Sequence, residues 1–593
     1  MARPPRPGDL PPDLRKADAA LRAGRLAEAE ALFRARLGRR GDDARALHGL
    51  AAVALRTGHA GPAVALLRRA AALQPTADML VDLGLALGLT GDRDGAIAAE
   101  RRALDLDPDH AQAHYNLACD LQAANALAEA IGHYRRATRS APGHVDAWNN
   151  LAQALVAVGE IAEGLAAFDT AIRLAPADAA LASNRLLALH YDPERTPEEL
   201  ARDHRRWGEQ HGRAASPAPY ANPADPERRL NLGYVSPDFC RHPVGWFLMP
   251  ALASRDRDRF HVTAYSSRRA EDDVTARIRG MVDRWRPVAG LSDQNLAAQI
   301  RADGIDILID LAGHTTGNRL AAFALRPAPV QASWIGWIDT TGLPAIGHLL
   351  TDASEVPPGE ERHFTETVVR VAAGAMCYAP PADMPEPAPP PSAAGAPPTF
   401  GCFNNLSKIN DRVVALWSRL LATVPDARLL LKSKTLGDPA VAASHRARFA
   451  ARGIAAERLI LEGRDPHRTM LERYGAVDVA LDPFPYSGGL TSVEALWMGV
   501  PVVTLAGDRM VARQTAAFLA TIGRTEWIVG DEDAYVAVAA ALAADPERLS
   551  QLRAGQRTRM AATPLADGRR FTPAFEAALR DLWRRWCADR ERD

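Results

Sequence analysis

The chain has 593 residues, 24% of them charged, with a formal net charge of -1 and with Lys and Arg interleaved among Asp and Glu. That length calls for more than one hydrophobic core, because single cores stop growing at about 250 to 300 residues. The balanced charge argues against a nucleic-acid partner.

Five cysteines, Cys119, Cys240, Cys377, Cys402 and Cys587, form no C-x-x-C pair, so neither a disulfide framework nor a thiolate metal site is expected. The opening MARPPRPGDLPPDL lacks the apolar core of a signal peptide, and no 18 uncharged apolar residues run together. A soluble, cytoplasmic protein with no membrane partner is the expectation.

From Ala20 onward a pattern returns. Proline breaks fall at Pro75, Pro108, Pro142 and Pro176, at separations of 33, 34 and 34. Small residues keep step at Ala70, Ala103, Ala137 and Ala171, and again at Ala29, Ala63, Ala96, Ala130 and Gly164. Two helices and a closing proline every 34 residues resemble tetratricopeptide repeats. Four clear copies and a degenerate first one, about Leu21 to Asp42, suffice to share a continuous core. The first helix of successive units carries Asn116, Asn150 and Asn184 in register, with Asp82 in the equivalent place before them. Each precedes a packing leucine, which predicts a row of amides able to hold an extended peptide backbone.

Periodicity ends near Tyr191, and residues 191–227 read as a helical connector, Pro197 to Gly212, followed by a linker. At Arg228 the pattern becomes strand-like: RRLNLGYVS, FHVTAYSS, IDILIDLAG and VQASWIGW alternate with helical segments. Such alternation predicts a parallel sheet with its site at the strand C-termini. A segment dense in Pro and Ala over residues 379–398 is read as an unpacked boundary. A second series follows: PTFGCFNNLSKIN, ARLLLKSK, RLILEG, VDVALD and VPVVTLAG. The expected architecture is an α superhelix of repeats, 1–190, then two Rossmann-like α/β lobes, an arrangement shared by the GT-B fold and several binding folds. Its lobes are residues 228–378 and 399–593, with a ligand cleft between them.

Within the second lobe, DVALDPFPYSGGLTSVEALWMG (Asp478 to Gly499) reads as strand, glycine turn and helix. Thr491 followed by Glu494 is a capping-box pattern, which places a helix N-terminus, and hence an anion site suited to a diphosphate, at the end of the turn. No acidic pair has the D-x-D spacing of a metal site; Asp306 and Asp310 lie four apart in a strand. No metal and no cofactor are expected.

Taken in order, GYVSPDFCRHPVG, DLAGHTTGNRL, RPAPVQASWIGW, FNNLSKI and the 478–499 stretch resemble the protein O-linked N-acetylglucosamine transferase family, from about Leu21 to Trp586. The resemblance implies an inverting, metal-independent transfer of N-acetylglucosamine from UDP-GlcNAc to Ser or Thr of proteins held by the repeats. It assigns Asn405 and Lys408 to the diphosphate, Lys408 supplying the balancing cation. Gly488, Gly489, Thr491 and Ser492 are assigned to the donor phosphates, and Glu494 to the ribose hydroxyls. His242 is placed beside the sugar and the acceptor hydroxyl as a base, and His314 as a site-lining residue. Gly336 and Thr340 fall on the donor side of a loop where family members carry Gly-Tyr-Pro-Gly-Thr. Here that loop reads Gly336-Trp337-Ile338-Asp339-Thr340, with the Asp339 carboxylate expected near the sugar diphosphate. Met470 stands at a nucleotide-contacting position with His467 one turn earlier, and Gly489-Leu490 replaces His-Thr. The departures leave open another nucleotide sugar, an Asn acceptor, or a scaffold with degenerate lobes.

Overall fold

The structure, a computed structural model, describes residues 11–212 and 219–592. The readings placed on residues 1–10 and on 213–218 of the linker lie outside the described residues. Two compact units are present, Met1–Leu155 and Val156–Asp593.

The first unit consists of antiparallel helix pairs: α1 (Pro12–Arg22) with α2 (Leu26–Arg40), α3 (Ala44–Arg56) with α4 (Ala60–Leu73), α5 (Ala77–Leu89) with α6 (Arg93–Leu106), and α7 (Ala111–Ala123) with α8 (Leu127–Ser140). α9 (Val145–Ala157) closes it. Ala29, Ala63, Ala96 and Ala130, and Ala70, Ala103 and Ala137, are fully buried, so the periodic small residues are the points where helices meet. The first pair begins earlier than its pattern suggests. Proline at the first helical position substitutes for a cap there, and Leu14, Ala17 and Ala20 give α1 its buried stripe.

The second unit opens on α10 (Ile161–Leu174), α11 (Ala179–Leu189) and α12 (Pro197–His211). Thr196 and Glu199 form a complete capping box at the start of α12.

Then comes a seven-stranded parallel sheet ordered β3-β2-β1-β4-β5-β6-β7. Its strands are β1 (Leu230–Ser236), β2 (Phe260–Ser266), β3 (Arg284–Pro287), β4 (Ile307–Asp310), β5 (Val330–Ser333), β6 (His348–Thr351) and β7 (Thr367–Arg370). The second sheet has the order β10-β9-β8-β11-β12-β13, with β8 (Thr399–Cys402), β9 (Arg428–Lys432), β10 (Leu459–Glu462), β11 (Val479–Leu481), β12 (Val502–Leu505) and β13 (Ile528–Val529). In each sheet the strand order reverses at one point, between β1 and β4 and between β8 and β11. There the loops at the strand C-termini part to leave a crevice.

Two boundary readings are corrected. The 379–398 segment is not unpacked: Pro391–Ala394 forms a 3-10 turn whose Ser392 donates its hydroxyl to Asp478 at 2.7 Å, and Arg553 donates to the Ala388 carbonyl. The division at 399–593 fails at its end, because the Gly568–Arg590 helix packs on the first lobe. Trp334, fully buried at the end of β5, lies 4.3 Å from Phe575 and 6.2 Å from Phe571, ring centre to ring centre. Strands β3, β6, β7 and β13 escape the sequence reading, being two to four residues long and, in β3, as polar as RWRP.

Candidate functional site

A cleft of about 630 Å³ lies where the two reversal points face each other, within the size of a nucleotide-sugar site. It brings together His242, Gly336, Asn405, Lys408, Gly489, Thr491 and Glu494 of the expected residues, with His467 and Met470.

Lys408 ends the short turn Leu406–Lys408 that follows β8. Its ammonium donates to the Ser487 carbonyl at 2.7 Å and the Asn404 side-chain oxygen at 3.2 Å, and lies 4.3 Å from the centre of the Tyr486 ring. Among the described residues no carboxylate oxygen comes within ion-pair distance of it, so a buried cation has only neutral direct partners. Burial lowers its pKa to about 8, with Asp482 acting in the opposite direction. A diphosphate would restore what burial removes.

The Leu490–Trp497 helix starts at Gly489, and no side chain caps it. The capping-box expectation is therefore corrected: Thr491 donates its hydroxyl to Asn404 at 2.9 Å, and Glu494 accepts from or shares a proton with His467 Nε2 at 2.6 Å. Burial raises the Glu494 pKa, and the His467 contact opposes that shift. With the side-chain cap absent, the positive end of the helix stays available to an anion. Asn404 joins Lys408 to Thr491 through one carbonyl oxygen. Reading the loop for Asn405 missed it, although the two asparagines are adjacent.

Across the cleft His242 caps the Pro243–Ser254 helix, is half-buried, and lies 3.8 Å from Asp238 Oδ2. Burial lowers its pKa while Asp238 opposes that shift. Tyr191, just past α11, stacks on Tyr486 at 5.2 Å, and with Leu187 it carries the end of the helical array into the cleft wall. No periodicity marks Tyr191, since it sits where the repeat pattern stops.

Five expected residues are turned elsewhere. Ser492 is buried against Thr515 at 2.8 Å, and the Gly488 N–H donates to Asp482 at 2.6 Å instead of facing the cleft. His314, fully buried, is held by Ser183 at 3.0 Å and by the Thr341 carbonyl at 2.8 Å, so it does not line the cleft. Thr340 donates its hydroxyl to Glu366 at 2.6 Å. Asp339 is 7% exposed and accepts the Thr340 N–H, with its other oxygen 3.6 Å from His190; the loop tucks this carboxylate behind the cleft wall. Gly336 stays at the cleft because its Cα rests against the Leu311 carbonyl, where a Cβ would fall 1.9 Å from backbone.

In the helical region Asn116 and Asn150 are half-buried. Asn116 accepts from Gln112 at 2.8 Å and Asn150 donates to Tyr115 at 3.3 Å, so part of each amide is already engaged. Asn184 lies in the second unit, on α11. Asp306 and Asp310 hold no shared ligand position: Asp306 is clamped by Arg228, and Asp310 accepts from the Ala312 and Gly313 N–H groups. No helix among the described residues is long and apolar enough to cross a membrane.

Comparison with known proteins bears on this arrangement. The glycosyl transferase family 41 model matches residues 213–374 and 396–575, and a tetratricopeptide repeat model matches 54–111 and 115–179. A Petunia hybrida protein described as a probable UDP-N-acetylglucosamine–peptide N-acetylglucosaminyltransferase, SPINDLY, is 38% identical over 414 residues, 68% of this chain. A SPINDLY protein of the same description from Solanum lycopersicum is 38% identical over 422 residues. The match spans 44% of the length of each of these relatives. Among solved structures, a mutant O-GlcNAc transferase of Thermobaculum terrenum superposes with a TM-score of 0.80 at 36% identity, covering 86% of this chain and 98% of that one.

Proposed function

The chain belongs to glycosyl transferase family 41, and from that premise we propose that it transfers N-acetylglucosamine from UDP-GlcNAc to Ser or Thr hydroxyls of protein acceptors, with inversion and without a metal at the donor site. The observation that carries this reading is Lys408, a buried ammonium with neutral direct partners, set beside an uncapped helix N-terminus in a cleft of nucleotide-sugar size. Both groups suit the charge that develops on a departing diphosphate.

In the proposed step the donor diphosphate lies between Lys408 and the N-terminus of the Leu490–Trp497 helix, with Asn405 beside it. Glu494, oriented by His467, accepts hydroxyl hydrogens from the ribose. The acceptor hydroxyl attacks the anomeric carbon opposite the leaving oxygen while His242 receives its proton. Positioning and leaving-group stabilisation supply most of the rate. Protein acceptors reach the cleft past Tyr191, at the end of the helical array.

The wall formed by Ile335, Gly336 and Ile338 is largely apolar, and with Gly489 and Leu490 at the turn it favours, as a second reading, a donor carrying a different sugar. Incubating the protein with a panel of UDP- and GDP-sugars and an acceptor peptide library, without added Mg²⁺ or Mn²⁺, tests both readings. Mass spectrometry should find N-acetylhexosamine on Ser or Thr, and NMR should find the inverted anomer. Saturating donor at about a hundred times its Kd should add roughly 2.7 kcal/mol of stability. A preferred sugar other than N-acetylglucosamine establishes the second reading, and no stabilisation by any nucleotide overturns both.

A further inference from the structure

Behind the cleft wall, three buried side chains from three separate segments converge: His190 at the end of α11, His204 on α12 and Asp339 in the loop after β5. His190 Nε2, the nitrogen nearest Asp339, lies 3.6 Å from its Oδ2, and one ligand atom from each of the three lies within 4.8 Å of the others. Both ring nitrogens of His190 are buried without a hydrogen-bond partner, and so is Nε2 of His204. Unpartnered buried polar atoms are costly, and two such histidines beside one buried carboxylate call for an explanation.

His204 is prepared for a ligand. Its Nδ1 donates to the Leu200 carbonyl at 2.7 Å, which leaves a lone pair on Nε2. That is the tautomer and the outer hydrogen bond that metal-binding histidines use. The backbone fixes the pieces relative to one another. Gly208 on α12 packs so closely on Gly342 that a Cβ would fall 1.8 Å from the Gly342 carbonyl oxygen. A Cβ on Gly342, at φ +68°, would fall 2.0 Å from the His204 carbonyl. The loop bearing Asp339 is thus pressed onto the helix bearing His204.

We propose that His190, His204 and Asp339 form a binding site for a first-row divalent transition ion, zinc in preference, which ties the end of the helical array to the first lobe. Two imidazoles and a carboxylate are the donor set for such an ion, and the remaining tetrahedral position would go to water. At metal–ligand distances of about 2.0–2.1 Å a tetrahedral ion holds its ligand atoms about 3.4 Å apart, so side-chain rotations that draw the three atoms together by up to roughly 1.4 Å complete the site.

His314 stands next to the cluster but has spent both nitrogens, on Ser183 and Thr341, and is not a ligand. The ion would sit behind Tyr486, whose ring is 6.4 Å from that of His190, and so behind the wall on which Tyr191 stacks.

The test uses the full chain, stripped with a chelator and then titrated with Zn²⁺ or Co²⁺ alone. One equivalent should bind with submicromolar affinity in competition with a chromophoric chelator. The Co²⁺ form should show the intense visible bands of a four-coordinate site. Asp339→Asn and His190→Asn should each weaken binding at least a hundredfold. Crystals of the unaltered protein grown with Zn²⁺ provide a measurement independent of how either variant folds: anomalous scattering at the zinc edge should place the ion among the three side chains. Absence of stoichiometric binding, or an ion found only elsewhere, such as at the cysteines, overturns the proposal and leaves the cluster as aromatic packing around Trp337.

Discussion

In the second lobe the polar groups at the strand ends face the cleft with capacity to spare, whereas those at the ends of β4 and β5 in the first lobe are largely consumed by one another. Lys408 has only neutral direct partners, and Thr491 and Glu494 line the cleft. Thr340 and Thr341 donate their hydroxyls to Glu366, and the Thr340 oxygen also accepts the N–H groups of Gly342 and Thr365. His314 is satisfied at both nitrogens. Residue types that read alike in a motif therefore divide by saturation: a buried group whose hydrogen bonds are all internal is scaffold, and one with charge or lone pairs left over can hold a ligand.

The sharpest way to break that comparison is Lys408→Met. It should cut transfer by about 10² or more while leaving the fold intact, because a preorganised cation facing developing charge supplies a few kcal/mol. Steady-state kinetics beside a thermal melt checks it, and near-normal turnover in folded protein would remove Lys408 from the site. Thr340→Val should do the reverse. It strips Glu366, Gly342 and Thr365 of a buried partner, so stability should fall by about 1–3 kcal/mol in urea unfolding, with UDP affinity unaltered by calorimetry.

Glu494→Gln keeps the shape but loses the charge paired with His467, and should weaken UDP binding about tenfold, the equivalent of one charge-assisted hydrogen bond. Binding should also respond to pH through Lys408. Below about 8 the ammonium is charged and attracts the diphosphate; above it the charge is lost. The Kd for UDP should therefore rise about tenfold between pH 7 and pH 9, and that dependence should vanish in Lys408→Met. The smallest effect is expected from replacing Asn116, Asn150 and Asn184 together with Ala. Modification of a protein acceptor should fall about threefold, less than one net hydrogen bond, since Asn116 and Asn150 already hold internal partners. Donor hydrolysis should not change, and equal losses in both assays would make the amides structural.

The sequence by itself determined the repeat helices and nine strands of the two parallel sheets. Each rests on local information: a 34-residue period of small residues that must be buried, and apolar runs of strand length. Short polar strands such as β3 escaped because their hydrogen bonds come from the neighbouring strand and leave no mark on their own composition. What only the tertiary structure decided is where each polar side chain spends its bonds. The Thr491 and Glu494 pattern spells a cap, yet Asn404 and His467, 87 and 27 residues away in the chain, take both side chains. Asp339 reads as a charge beside the donor, yet the glycine contact between α12 and its loop turns it onto His190. Long-range partners outbid local ones in both cases, because a buried polar group takes the hydrogen bond that the whole fold offers it, and sequence spacing reports only on near neighbours.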